Sequence, residues 1–450
     1  MIGQDSIQRI LDSALLVSKA DETEARLTAE DLHLTRFANN LIHQNVSEAN
    51  VTLTVRAVMG QRQGTATTND LSAAGIEKAA AVAREIALAQ AEDLAFPGLP
   101  EAGTPPVVES FDEATASFSP EDRARAVSAV CKMAAAKKLT AAGAFKIGAR
   151  ELAVSNSRGL RAYHPSTYAD FVTTVMSDDS AGRAQCSGWR VGDMDTEAAG
   201  REAVSKAERG RNPRALEPKE YPVVFDDYAV EDMVGFLCLQ GADGLAVHEG
   251  RSWMTGRAGQ AAMNPGVTIW DDGCDLLGMP SPFDAEGATR ERVSIVERGV
   301  VGSAVYDRAT AAKAGAQATG PAAPPEIRRW GIHAAPLNVF MAEGDSSVEQ
   351  MIRSTERGLY CTRFWYTRTV RPRECVITGM TRDGLFLIER GEIAYPVKNL
   401  RFTQSYVNAF AEIEAIGSES KFLLSDSMFA HGYRVPPIKV SRFNFTGATQ

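Results

Sequence analysis

The sequence predicts an α+β protein in two parts: helices on an antiparallel sheet over residues 1–218, then a curled, barrel-like antiparallel sheet with few helices over 219–450. Three observations predict it. Helical apolar spacing followed by strand-like alternation occurs twice in the first half. Beyond residue 219, short alternating runs separated by turn pairs such as "RDG", "ERG" and "AEGD" dominate. Between the halves, the proline and charge density of "AGREAVSKAERGRNPRALEPKEYP" marks a boundary near residue 218.

Asp5 to Ala20 carries Ile7, Ile10, Leu11, Ala14, Leu15 and Leu16 at helical spacing, which buries one face. Glu24 to Thr68 changes to short runs rich in Leu, Val, Thr and Ile, punctuated by "ANN" and "MGQRQG", and reads as an antiparallel meander. A second helix follows in "NDLSAAGIEKAAAVAREIALAQA", with Asn69 or Asp70 as its cap and Ile76, Ala79, Ala80, Ala83, Ile86 and Ala87 along one stripe. The proline-rich "FPGLPEAGTPP" breaks it. A helix in "SPEDRARAVSAVCKMAAAKK" and a hairpin through "NSRG" then repeat the order.

The second half opens with the strand "YPVVF" and a helix that turns Val230, Met233, Val234 and Leu237 inward. Strands follow in "VTIWDDGCD", "RVSIVERGVVGSAVYD", "PLNVFMAEGD" and "PPIKVSRFNFTG". One helix, in "SSVEQMIRSTERG", interrupts them, and Ser346 and Glu349 have the spacing of a capping box.

Composition excludes several function classes. With 450 residues and 44% hydrophobic content the chain has material for two or three domains. No apolar run approaches the roughly 18 to 20 residues of a membrane helix, and a charged start replaces the apolar stretch of a signal peptide, so the expected location is the cytoplasm. A net charge of −9 opposes a general phosphate-binding surface, and no direct nucleic-acid partner is expected. Cys131, Cys186, Cys238, Cys274, Cys361 and Cys375 form no CxxC pair, which suits reduced thiols. Neither a P-loop, nor a strand followed by G-x-G-x-x-G, nor a G-x-S-x-G elbow is present.

"TRFANNLIHQNV", "TIWDDGCD", "GDSSVEQMIRSTERGLY" and "MTRDGLFLIERGEIAYPVKNLRFTQS" resemble the TldD/PmbA family, in order over nearly the whole chain. The resemblance implies a cytosolic, two-domain α+β protein that dimerises around an internal chamber and cleaves unfolded or short peptides. It also implies two kinds of subunit, one bearing zinc and a PmbA/TldE-like companion that contributes structure and substrate binding.

The active subunit's motif resembles His-Glu, three residues and a second His, with a Cys near the C-terminus as a further ligand and the Glu as base. His248 and Glu249 stand where that motif begins, but Trp253 takes the place of the second His and Ser252 the i+4 position. Catalytic zinc requires about three protein ligands and an open water position. Arg251 would also bring a permanent positive charge towards the cation. No Cys follows Cys375, and His431 is the remaining nearby candidate. The expectation is therefore no catalytic residues, metal or cofactor in this chain, with zinc in a TldD-like partner. Two alternatives remain: a homodimeric peptide-binding scaffold, and a peptidase with an atypical site using His248 and Glu249, with Arg251 as an anion clamp.

Other constellations read structurally first. Arg382 to Gly384 is a hairpin turn between strands. Asp271 to Gly273 ends a strand on a solvated loop. In "RFWYTRTVRPR", strand alternation puts Phe364 and Tyr366 on one face and Trp365 and Thr367 on the other, as sheet construction or a peptide-contacting wall.

Overall fold

The computed structural model describes residues 1–323, 328, 331–425 and 431–448. Its first part is a sheet of β1 (Glu22–Ala38), β2 (Leu41–Met59), β3 (Arg62–Thr68), β4 (Thr140–Asn156), β5 (Arg161–Met176) and β6 (Ala181–Gly188). The strand order is β3-β2-β1-β4-β5-β6, and every pairing is antiparallel. Helices α1 (Gln4–Val17) and α2 (Ala73–Ala89) bury Ile7, Leu11, Ile76 and Ala83 against Leu27, Leu53 and Val55. After the short α3 (Glu113–Ala116), α4 (Pro120–Ala136) and α5 (Thr196–Arg209) cover the other strands, where Val127, Val130 and Ala203 meet Phe145, Ile147 and Phe171. Ser119 and Asp122 form a capping box, with Pro120 in the first turn, so α4 starts where its sequence dictates.

The second part begins at β7 (Glu220–Phe225), followed by α6 (Asp227–Leu239), α7 (Gly244–His248), β8 (Ile269–Asp271), β9 (Val293–Glu297) and β10 (Val300–Val301). Next come α8 (Arg308–Ala314), β11 (Asn338–Met341), a helix at Val348–Arg353, β12 (Arg357–Arg371), β13 (Val376–Glu389), β14 (Glu392–Pro396) and β15 (Leu400–Ser405). A helix at Tyr406–Ala411, β16 (Ile413–Ile416), β17 (Lys421–Leu424), β18 (Gly432–Val435) and β19 (Ile438–Ala448) complete it.

These strands make two sheets. One runs β10-β9-β8-β11-β18-β17; the other runs β12-β7-β19-β15-β13-β14, and pairing between β12 and β13 closes it into a barrel. Among the described strand-to-strand ladders of this half, β7–β12 and β11–β18 are parallel and the others antiparallel. A shared core includes Val230, Met233, Val234 and Leu237 of α6, Ile269 and Val339 of the open sheet, and Phe364, Phe402 and Phe443 of the barrel. The fold class is α+β, as expected.

Several local expectations need correction. Arg382–Gly384 is no turn: it lies inside β13, where the register shifts between Cys361 and Arg363 and Asp383 has φ 58°. An extra residue on β13 makes a bulge, and the Asp383 carboxylate accepts a 2.7 Å bond from Arg363. A second bulge breaks the expected alternation in β12, because the register shifts between Trp365 and Arg368 and Tyr366 has φ 57°. Phe364 enters the core while Trp365 and Tyr366 both stay exposed, at 45% and 63%.

Asp271 ends its strand without a solvated loop: it is fully buried, binds Arg290 Nη2 through both oxygens at 2.9 Å, and accepts the Leu337 and Asn338 N–H groups. Two caps also shift. Ser72, rather than Asn69 or Asp70, caps α2, and the capping box of the Val348–Arg353 helix is Ser347 with Gln350, one residue beyond Ser346 and Glu349.

Candidate functional site

A cleft of about 540 Å³ lies where the β6 edge of the first sheet meets α6, β12 and β17–β18. The amphipathic pattern of α6 builds one wall. Asp226 caps the helix, and Val230, Met233, Val234 and Leu237 are buried in the core. The flank at Glu231, Asp232, Gly235, Phe236 and Leu239, spaced i, i+1, i+4, i+5 and i+8, lines the cleft. Gly235 keeps that wall low: a Cβ there would stand 3.6 Å from the Tyr433 ring, an ordinary contact.

β12 builds the facing wall. Its pairing with β7 stops at Cys361, while Arg363 through Arg368 line the cleft one after another. Among the described residues, no strand pairs with β12 past Cys361 on the side turned away from β13. Guanidinium groups support the rim: Arg363 and Arg382 lie over Trp365 at 5.1 and 5.7 Å, and Arg368 lies over Tyr366 at 4.5 Å.

Asp232 sits between the walls and accepts hydrogen bonds from Thr367 Oγ1 at 2.7 Å and the Tyr406 hydroxyl at 2.9 Å. Burial pushes its carboxyl up to about 6, against the pull of those two bonds and of Arg363. Behind the cleft a charged network joins the two parts of the chain. Lys206 donates to Glu202 at 2.6 Å and Asp226 at 2.7 Å, and Lys421 donates to Glu202 at 3.1 Å and the Tyr228 hydroxyl at 3.2 Å. Tyr228 lines the cleft and accepts the Gln185 N–H at 3.0 Å. Within the network, burial and then Asp226 push Asp227 up to about 7.

The candidates drawn from the metal motif lie elsewhere, with one exception. His248 and Glu249 are exposed at the end of α7, outside the cleft lining, and Glu249 pairs with Arg251 at 2.6 Å. Trp253 is a core residue whose Nε1–H donates to the Leu237 carbonyl at 2.8 Å. A Cβ at Gly241 would overlap the Trp253 ring, so a glycine is required where α6 turns towards α7. Ser252 donates to the Gly241 carbonyl. His431 alone reaches the cleft, buried and edge-on to Tyr433 at 5.4 Å. The structure does not gather His248, Glu249 and His431 around one cavity.

Among the described residues, no three His, Cys, Asp or Glu side chains are grouped to hold a metal ion. Glu231, Asp232 and His431 line the cleft without being grouped as a ligand set, Asp232 is engaged by Thr367 and Tyr406, and Cys375, the last cysteine, is buried in the core. Sequence reasoning missed Glu231, Asp232 and Gly235. Their signal was a polar flank on an otherwise apolar helix. Among the described residues, no helix is long and apolar enough to cross a membrane.

Comparison with known proteins places this geometry in context. The model of the PmbA/TldA metallopeptidase C-terminal domain matches residues 218–447, and that of PmbA/TldA metallopeptidase domain 1 matches residues 23–87. Metalloprotease PmbA of Escherichia coli O157:H7 is 26% identical over 376 residues, 80% of this chain and 79% of that protein. A Methanothermobacter thermautotrophicus metalloprotease is 27% identical over 263 residues, 55% of this chain and 56% of that protein. The crystal structure of TldE from Thermococcus kodakarensis superposes with a TM-score of 0.88 at 19% identity, covering 98% of this chain and 100% of that one. A Thermotoga maritima structure, described as a candidate modulator of DNA gyrase, gives 0.85 at 18% identity, with 98% and 100% coverage.

Proposed function

The chain belongs to the PmbA/TldD metallopeptidase family, and we propose that it is the non-catalytic, peptide-binding subunit of an assembly whose metal site a TldD-like partner carries. The observation that supports this most is the run Arg363–Arg368, which lines the cleft and, among the described residues, pairs with no strand on the side away from β13, while no described side chains there are grouped to hold a metal. An extended peptide adding a strand on that side would be held by main-chain hydrogen bonds, which accept many sequences. Trp365 and Tyr366 give flat apolar surface for its side chains. The chain's work in this reading is to bind and orient an unfolded or short peptide in the cytoplasm, away from nucleic acid and membrane. Hydrolysis belongs to the partner.

Metal analysis and peptidase assay test the proposal together. The purified chain should hold well under one tight zinc per molecule and cleave no peptide until a TldD-like subunit is added. One zinc per chain, lost in His248→Ala, would contradict it in favour of an atypical site. A homodimer that binds peptide and ignores the TldD-like subunit would instead establish the scaffold reading.

A further inference from the structure

We propose that Arg368, positioned by the ring of Tyr366, is a subsite for a carboxylate of the bound peptide, so that the cleft selects chains carrying an acidic side chain or a free C-terminus. This subsite presupposes that the cleft binds peptide, as proposed above. The second bulge of β12 builds it. Trp365 pairs with Met380 and Arg368 with Thr378, so Tyr366 and Thr367 together oppose Gly379 alone. Two features hold the bulge. A Cβ at Gly379 would stand 2.7 Å from Thr367 Cγ2 and 2.9 Å from Phe402 Cζ, so glycine is what leaves room for the inturned threonine. Thr367 Oγ1 then donates to Asp232 at 2.7 Å. The bulge thus sends Thr367 to the α6 wall and turns Tyr366 outward, with φ 57°.

A left-handed φ is uncommon for a bulky side chain, because glycine, asparagine or aspartate take it at lower cost. The Tyr366 ring, 63% exposed, gains little burial in return. What it does hold is Arg368, whose guanidinium lies 4.5 Å over the ring and whose Nη1 donates to the Thr367 carbonyl at 2.9 Å. Other arginines of the same hairpin are neutralised within the chain, Arg363 by Asp383 at 2.7 Å and Arg371 by Glu374 at 3.1 Å. Among the described residues, no carboxylate pairs with Arg368. Its guanidinium is therefore a planar fork, steadied by a ring and a backbone bond and lining the cleft, and such a fork accepts a carboxylate through paired N–H groups. The opposite wall does not compete for that place. Asp232 has both oxygens occupied by Thr367 and Tyr406, and Glu231 stands on α6, which disfavours a carboxylate there and favours the β12 wall.

Calorimetric titration of the full chain with three matched unstructured peptides tests the subsite. One is neutral, blocked at both ends and contains a single Asn; the second has Asp in place of that Asn; the third keeps the Asn and has a free C-terminal carboxylate. At low salt at least one charged peptide should bind roughly tenfold more tightly than the neutral one, and which of them does so tells whether a side chain or the terminus is read. Arg368→Gln should bring all three to the same affinity. Tyr366→Gly adopts the left-handed conformation freely, so thermal stability should be kept while the preference falls by at least about threefold, and Tyr366→Phe, which retains the ring, should keep it. The proposal is overturned if wild type binds neutral and charged peptides equally, or if Arg368→Gln or Tyr366→Gly discriminates as wild type does. Failure of all three peptides to bind wild type would overturn the peptide-binding reading as well, whereas indiscriminate binding overturns the subsite alone.

Discussion

α6 contains no histidine and α7 ends in His248–Glu249, yet it is α6 whose flank faces the cleft and α7 whose dipeptide faces solvent. Only Gln240–Asp243 separates the two helices. The difference teaches that chemically suggestive letters make a site only where the fold converges other groups on them. On α7 the nearby partners are Arg251, a surface cation, and Trp253, a core ring. On α6 the partners of Asp232 come from β12 and from the helix after β15, so the site is assembled across elements distant in sequence.

Breaking each helix's environment in turn sharpens the contrast. The largest effect should come from Trp253→Ala, which removes a fully buried ring and its bond to the end of α6 and should cost about 3–5 kcal/mol in urea denaturation. A loss below about 1 kcal/mol would mean that Trp253 is not core, against the account given for the second-histidine position.

Next in size is the pH dependence set by Asp232. Its folded value, about 6, lies above its ordinary value of 3.8, so the stability it contributes is complete below the ordinary value and is lost as pH rises through about 6. Asp232→Asn should remove a slope on the order of 1 kcal/mol between pH 4 and 6.5, discounted for partial exposure. Asp227, raised to about 7, supplies a separate decline at higher pH that persists in the variant. An unchanged slope between pH 4 and 6.5 would remove Asp232 from the account.

The smallest effect belongs to α7. Glu249→Gln breaks an exposed ion pair with Arg251 and should shift stability by less than about 0.5 kcal/mol, with peptide affinity unchanged. A clear loss of peptide binding there would reinstate the His248–Glu249 alternative.

Much of the fold was legible because long apolar stripes and alternation are local. The α2 stripe of Ile76, Ala79, Ala80, Ala83 and Ala87 is buried as its spacing implied, with Ile86 at its margin. What was not legible depended on distant partners. Arg-Asp-Gly looks like a turn until Arg363 is known to meet Asp383 across a bulge. Asp271 looks solvated until Arg290 arrives from nineteen residues away. Phe364 and Tyr366 alternate correctly in sequence, but the extra residue at the β12 bulge turns Tyr366 outward. The caps failed for a simpler reason: "NDLS" and "SSVEQ" each offer adjacent polar candidates in more than one register. Within the cleft, Arg363–Arg368 was legible as a possible peptide-contacting wall, whereas Asp232 needed Thr367 and Tyr406 to define it.

One comparison of affinities bears on the central claim most directly. Gly235→Leu places a side chain inside the cleft while its Cβ makes only ordinary contact with Tyr433, and leucine favours a helix over glycine by about 0.5–1 kcal/mol. Calorimetric titration with short unstructured peptides should therefore show affinity falling at least about tenfold in Gly235→Leu, with thermal stability kept or raised, and unchanged in His248→Ala. Binding that survives the filled cleft but disappears with His248 would contradict the account.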